Sequence, residues 1–200
     1  MEIRPVGPAA ALVELASAGE VRAAYRRLAD VTNLVDLVPA ARTVLVVADR
    51  RDPGALAYEI GLLLEGLEPP DAPDGPLVEL EVAYDGPDLA EVARLTGLDG
   101  DEVVRRHAAA EYAVAFCGFA PGFAYLTGLP PELHVPRRAT PRTAVEPGSV
   151  GLAGEFTGAY PRRSPGGWQL IGRTEAALWD TDRDPPALLA PGTRVRFRPC

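Results

Sequence analysis

SPGGWQLIGRT, residues 164–174, places two adjacent glycines directly before a tryptophan, a glutamine and a strand-like Leu-Ile pair. Ser164-Pro165-Gly166-Gly167 is turn chemistry: proline presets φ, and glycine accepts backbone conformations closed to other residues. From Trp168 onward, alternation puts Trp168 and Leu170 on one face of a strand and Gln169 and Ile171 on the other. A turn followed by a short strand is also the unit that recurs through the second half of the chain. YAVAFCGF (112–119) reads as a strand. Beyond it glycine or proline arrives every few residues, separating short apolar pieces such as SVGLAG, WQLIG and RVRFRP. Many short strands with Gly/Pro turns predict a β-barrel or sandwich.

The paired glycines raise a second possibility, a loop that cradles phosphate. A Walker-type loop needs Gly-Lys-Ser/Thr, and all 20 basic residues here are arginine. The same absence excludes a Schiff-base or lysine-nucleophile mechanism within the chain. An anion site must therefore rest on arginine forks, backbone N–H groups or helix N-termini.

Toward the N-terminus the pattern changes to alternating strands and helices. ALVEL (11–15) is a strand candidate, and Ser17 with Glu20 has the form of a capping box. Val21, Tyr25, Leu28, Val31 and Val35 then recur at helical spacing. TVLVVAD (43–49) predicts a buried strand. Asp52-Pro53 predicts a helix start, with Leu56, Ile60, Leu63, Leu64 and Leu67 as its apolar stripe. A proline-rich connection follows (68–76), then an alternating strand (77–84). Residues 87–110 read as two short packing helices broken at Gly97–Gly100. The expectation is an α/β domain over 1–84 and a mostly β domain over 85–200.

A formal charge of -8 argues against nucleic acid, whose binding is driven by basic residues. No apolar run approaches a membrane span, and the N-terminus lacks the form of a secretory signal, so a cytoplasmic, membrane-free protein is expected. Cys117 reads as a buried small hydrophobe and Cys200 as a loose terminal residue, with no paired metal-ligand spacing. His107 reads as packed, and His134 as solvated.

Candidate chemistry concentrates in the second half. GFAPGFAYLTGLP (118–130) mixes glycines, prolines and aromatic rings, which suits a pocket lining or a loop plugging a barrel end. PRRATPR (136–142) sets Arg137, Arg138 and Arg142 in a turn-rich stretch, which suits carboxylate or phosphate recognition or a solvated basic loop. GLAGEFTGAYP (151–161) contributes Glu155, a candidate general base or metal ligand, beside Thr157 and Tyr160. The residues themselves give a pocket for a small anionic ligand and no reaction.

GFAPGFAYLTGLP, PRRATPRTAVEPGSVGLAGEFTGAYP, SPGGWQLIGRT and PALLAPGTRVRFRP together resemble, in order and spacing, the 5-oxoprolinase B-subunit family. That family is also called allophanate hydrolase subunit 1 and includes a sporulation-kinase inhibitor. The resemblance extends to residues 84–112 and covers 84–200 strongly. It implies an α+β chain, with a small ferredoxin-like N-terminal domain followed by a cyclophilin-like β-barrel. It further implies a heteromer with homologues of the family's C subunit (allophanate hydrolase subunit 2) and of its A subunit. Together these convert 5-oxoproline, ATP and water to glutamate, ADP and phosphate, with ATP as the nucleotide, accompanied by Mg. Arg138, Arg142 and Glu155 are carried over as catalytic. Phe119, Pro121, Gly122, Ser149, Gly154, Thr157, Tyr160, Ser164, Pro165, Gly166, Gly167, Trp168, Gln169 and Arg173 are carried over as binding residues. The chain departs from the family at Phe156, where a glutamine is usual, and at Ala124 and Thr127, which puts the substrate in doubt more than the fold. Two alternatives stay open: a non-catalytic regulator of a sensor histidine kinase, and a biotin-dependent carboxyltransferase component.

Overall fold

In the computed structural model, which describes residues 1–49, 52–68 and 75–200, Ser17 opens the first helix much as its capping box predicts. Its Oγ accepts the Glu20 N–H at 3.2 Å, and the Glu20 carboxylate accepts the Ala16 N–H at 3.0 Å. The chain divides into two compact units, Met1–Ala72 and Pro73–Cys200. The first runs β1 (Glu2–Val6), β2 (Ala10–Glu14), α1 (Ala18–Ala29), β3 (Leu34–Pro39), β4 (Thr43–Ala48) and α2 (Pro53–Leu63). Its sheet has the order β1-β2-β4-β3 and is antiparallel throughout. Val13, Val44 and Val46 of the sheet pack with Val21 and Leu28 of α1 and with Leu56 and Ile60 of α2. Asp52 caps α2, accepting the Ala55 N–H at 2.9 Å.

One expectation for this unit is corrected and another is not confirmed. The apolar stripe of the first helix is expected to reach Val35, but α1 ends at Ala29, and Val35 lies 66% exposed in β3. A register shift between Leu34 and Asp36 breaks the alternation by which β3 could be recognised. The ferredoxin-like domain is not confirmed, since the chain runs ββαββα where that fold runs βαββαβ.

The second unit comprises β5 (Leu77–Val82), α3 (Leu89–Thr96), α4 (Gly100–Ala109), β6 (Tyr112–Cys117), β7 (Ala124–Thr127), a 3-10 turn (Pro131–Leu133), β8 (Arg142–Val145), β9 (Ser149–Ala153), β10 (Phe156–Ala159), β11 (Ser164–Gly166), β12 (Gln169–Arg173) and β13 (Arg194–Pro199). Seven strands form one sheet in the order β12-β9-β10-β7-β6-β13-β5. Just past β5, Ala83 exchanges two backbone hydrogen bonds of 2.9 Å with Arg173 of β12. The two edge strands are thereby joined, and the sheet is a nearly closed barrel, consistent with a cyclophilin-like fold. β5 pairs in parallel with β13 from Leu77↔Arg194 to Val82↔Pro199. It therefore belongs to this unit, and the division falls at Ala72/Pro73 rather than near residue 84. The proline-rich connection expected over 68–76 lies mostly outside the described residues.

Gly97, in the left-handed region at φ 72, ends α3, and the Asp99 carboxylate caps α4 by accepting the Glu102 N–H at 2.7 Å. Val92 of α3 and Val103 of α4 join Leu80, Val82, Val114, Leu126, Leu152, Ile171 and Phe197 in the barrel core. Inside that core lies a fully buried histidine, His107. Its Nε2 and the Thr157 hydroxyl lie 2.9 Å apart, and the hydroxyl donates to the Gly151 carbonyl at 3.1 Å. With that proton used, Thr157 accepts from Nε2–H, and the Tyr84 hydroxyl donates to Nδ1 at 2.8 Å. The network fixes a neutral tautomer, and burial pushes the imidazole pKa down to about 3.

Among the described residues no helix is long and apolar enough to cross a membrane. Cys117 is half-buried, donates to the Leu189 carbonyl at 3.3 Å, and has its thiol pKa pushed up by burial to about 11.

Candidate functional site

β8 and β11 form a separate two-stranded ribbon that sets Arg142 opposite Gly166, so the PRRATPR and SPGG segments run side by side. The Arg138 N–H donates to the Gly167 carbonyl at 2.8 Å and fastens them together. Behind this ribbon sits Asp88, 3% exposed at the start of α3. One carboxylate oxygen accepts from Arg138 at 2.7 Å and from Arg142 at 2.8 Å; the other accepts the Leu170 N–H at 2.8 Å. Burial alone would raise the Asp88 pKa, but these hydrogen bonds and the two guanidinium charges outweigh it and hold the carboxyl below its ordinary value. Three buried polar atoms beside this pin, Arg138 Nε, Arg142 Nη1 and Gln169 Oε1, have no partner among the described residues. Buried polar groups are normally paired with protein, water or ligand, so the pin is a network still open to a polar partner.

Two cavities flank it. A groove of about 550 Å³ is lined by Asp88, Glu91, Pro136, Arg137, Arg138, Thr140 and Gln169 among others. A smaller cup of about 70 Å³ is formed by Phe119, Phe123, Tyr125, Tyr160 and Trp168 over the backbone of Pro165–Gly167. Phe123 meets Phe119, Tyr125, Tyr160 and Trp168 edge to face, with centroids 5.0–5.3 Å apart. Trp168 and Leu170 belong to this aromatic cluster and Ile171 to the barrel core, which is the alternation that the sequence predicts. Arg137 is exposed and lines both cavities. Unlike Arg138 and Arg142, it forms no hydrogen bond or ion pair among the described residues.

The cup has a strained lip. The Ala120 N–H donates to the Gly118 carbonyl at 2.7 Å, closing a three-residue turn centred on Phe119 at φ 67. That is the rarer and strained sense of a γ-turn, and here it carries a phenyl ring that is 57% exposed. The floor depends on Gly166. A Cβ there would overlap the Tyr160 hydroxyl and lie 2.9 Å from its Cζ, whereas one at Gly167 would sit 3.6 Å from Pro141. Gly166→Ala is expected to lower stability by roughly 1–3 kcal/mol, as overpacking does, while Gly167→Ala stays near wild type. Urea unfolding of the pair checks this, and equal midpoints would contradict the packing account.

Residues 1–189 match the family described as carboxyltransferase domain, subdomain C and D. The B subunit of 5-oxoprolinase from Escherichia coli O157:H7 is 46% identical over 193 residues, covering 94% of this chain and 88% of the relative. The chain belongs to the carboxyltransferase subdomain C and D family. The family resemblance carried by its motifs is borne out. Among solved structures, TTHA0988 superposes with a TM-score of 0.81 at 36% identity, covering 96% of this chain. This chain spans only 40% of that one. The K. lactis urea amidolyase superposes with a TM-score of 0.76 at 20% identity, covering 99% of this chain and 15% of its own. That likeness is one of fold.

Within this family member, Phe119, Tyr160, Pro165, Gly166, Gly167 and Trp168 come together at the cup, and Arg138 and Gln169 at the groove. Arg142 reaches the same place through Asp88. The other carried-over positions do not converge. Glu155 is an exposed residue in the turn between β9 and β10 and lines neither cavity. Arg173 is exposed and pairs with Asp85 at 3.0 Å and Glu175 at 3.2 Å. Thr157 belongs to the His107 network in the core. Gly154, at φ 59, serves the turn beside Glu155, and a Cβ at Gly122 would come within 2.8 Å of the Trp179 Cβ. Pro121, Ser149 and Ser164 line neither cavity. Arg138 and Arg142, expected either to recognise a carboxylate or phosphate or to lie in a solvated basic loop, are both engaged by an internal carboxylate. Sequence pattern does not reveal Asp88, because Gly-Pro-Asp before an apolar stripe reads as a helix cap, yet its side chain makes no cap hydrogen bond. Phe123 and Tyr125 stand in the quoted loop motif, but nothing in their spacing marks them as site residues.

Proposed function

We propose that this chain acts as the B subunit of an ATP-dependent 5-oxoprolinase complex, working with homologues of its A and C subunits. The observation that carries the proposal is its 46% identity over nearly the whole length of a protein named for that role. In the proposed reaction the lactam oxygen of 5-oxoproline attacks the γ-phosphorus of ATP. The bridging P–O bond breaks and ADP leaves. Hydrolysis of the activated lactam then yields glutamate and phosphate. A lactam carbonyl is a poor electrophile, and its phosphorylated form carries a good leaving group. The chain's contribution is N–H donors around the transferring group, which the Arg138 Nε–H that Asp88 leaves unpaired and the groove at Gln169 supply without lysine. The groove has the volume of an ordinary small-molecule site, so we assign the nucleotide, with its Mg, to the groove. We also propose that the first unit is a ferredoxin-like sheet whose last strand has moved to the front, since its order β1-β2-β4-β3 matches that shift.

Co-expression of the chain with its two partner homologues, followed by measurement of 5-oxoproline-dependent ADP release, tests the proposal. Turnover is expected only with all three chains. Undiminished ADP release when this chain is omitted would refute it.

A further inference from the structure

The cup and the groove differ in chemistry, and the residue between them says how a ligand would lie. The cup is walled by five aromatic rings and measures about 70 Å³, roughly half the volume of an apolar cavity that accommodates benzene. That is too small to enclose a nucleobase or a sugar. A small saturated ring can insert its CH2 edge and leave its polar substituents outside. Phe119 closes one side of the mouth on a strained backbone turn, and strain of this kind persists at ligand clamps.

At the rim stands Arg137. Its neighbours Arg138 and Arg142 are both paired with Asp88, while its own guanidinium has no partner among the described residues. Its backbone is nevertheless held, because the next residue's N–H is bonded to Gly167 at the cup floor. A positioned arginine with a free fork binds a carboxylate or a phosphate, and beside an apolar hollow of this size it suits a compact ring bearing such a group. Because Arg137 lines both cavities, such a ligand turns its remaining polar edge toward the groove.

We propose that the cup seats the ring methylenes of 5-oxoproline, with Arg137 binding the ring's carboxylate and the lactam oxygen facing the groove. The proposal rests on the function proposed above. It makes Arg137, rather than Arg138 or Arg142, the residue that selects the acid.

The test uses the three-chain complex and compares 5-oxoproline with its carboxamide. Arg137→Ala is expected to raise KM for 5-oxoproline roughly 10- to 100-fold, the worth of one charge-assisted contact. It should also abolish the preference for the acid over the carboxamide, and Arg137→Lys should restore part of that preference. Phe119→Ala should raise KM for both compounds alike. An Arg137→Ala complex that turns over with wild-type KM and keeps the preference overturns the assignment while leaving the oxoprolinase function standing. If the complex does not turn over 5-oxoproline, the function fails separately, and the cup is judged by binding to the full chain. In a Trp179→Phe background, Trp168 fluorescence should then report cyclopentanecarboxylate but not its carboxamide, and Arg137→Ala should remove the difference. Equal responses to the two compounds, or a response only to a proline-containing peptide, overturn the proposal.

Discussion

Asp88→Ala is expected to lower the unfolding free energy by about 3 kcal/mol, near the low end of the loss for removing one partner of a buried ion pair. The low end applies because the Arg138 and Arg142 side chains are 34% and 23% exposed, so water recovers part of their solvation. Three hydrogen bonds lose their acceptor at once, from two guanidinium groups and from the Leu170 N–H. Helix capping does not explain such a loss, because the Asp88 side chain forms no cap bond to α3. Asp88→Ser, which restores a capping hydroxyl but not the acceptor, should be nearly as unstable as the alanine variant. Loosening the PRRATPR segment from Leu170 should also disturb the groove, so oxoprolinase turnover in the complex is expected to fall with stability. Urea unfolding of the three proteins decides the matter: a loss below about 0.5 kcal/mol in Asp88→Ala, or full recovery in Asp88→Ser, would remove the pin from the account.

Asp88 also shows where sequence reasoning stops. The elements set by neighbouring residues are legible: Ser17 and Asp52 cap their helices, Gly97 ends α3, and Trp168 and Leu170 share a face as alternation requires. PRRATPR is legible as a stretch of arginines suited to an anion or to a solvated loop. What the stretch cannot disclose is that the anion is a carboxylate of the chain's own, 50 residues before Arg138 and 54 before Arg142. Partners that distant meet only because folding brings both α3 and the β8–β11 ribbon against the start of β12. The same limit hides the home of β5, whose parallel partner β13 is the last strand of the chain. Glu155 lies away from both cavities for a different reason. Gly-Glu between two strands is hairpin chemistry, and a carboxylate in an exposed turn needs no catalytic purpose. The aromatic cup is foreshadowed by the ring-rich loop 118–130, but only folding brings Tyr160 and Trp168 against it.

Acid is expected to unfold this protein in a window set by His107. The imidazole is fully buried among Tyr84, Tyr112, Thr157 and Phe197, none of them charged, and its pKa is depressed from 6.5 to about 3. The folded state therefore resists a proton that the unfolded chain accepts near pH 6.5. By linkage this contribution is complete above that pH and declines by about 1.4 kcal/mol for each unit the pH falls toward 3. Between pH 6.5 and 4.5 the expected loss is roughly 2 kcal/mol. Asp88 and the surface carboxylates with depressed pKa values lose stability lower, as the pH falls from their ordinary values of 3.8 and 4.5 through their folded ones, so the histidine dominates the upper part of the window. His107→Gln, which cannot take up a proton, should flatten the stability profile between pH 6.5 and 4.5 even if it is less stable at pH 7. A variant too unstable to measure leaves a direct check on the wild type, because the His107 ring nitrogens should keep the NMR signature of the neutral Nε2–H tautomer down to pH 4.5. Protonation of that ring near pH 6 in the folded protein, or an unchanged slope in His107→Gln, would contradict the Tyr84–His107–Thr157 network as drawn.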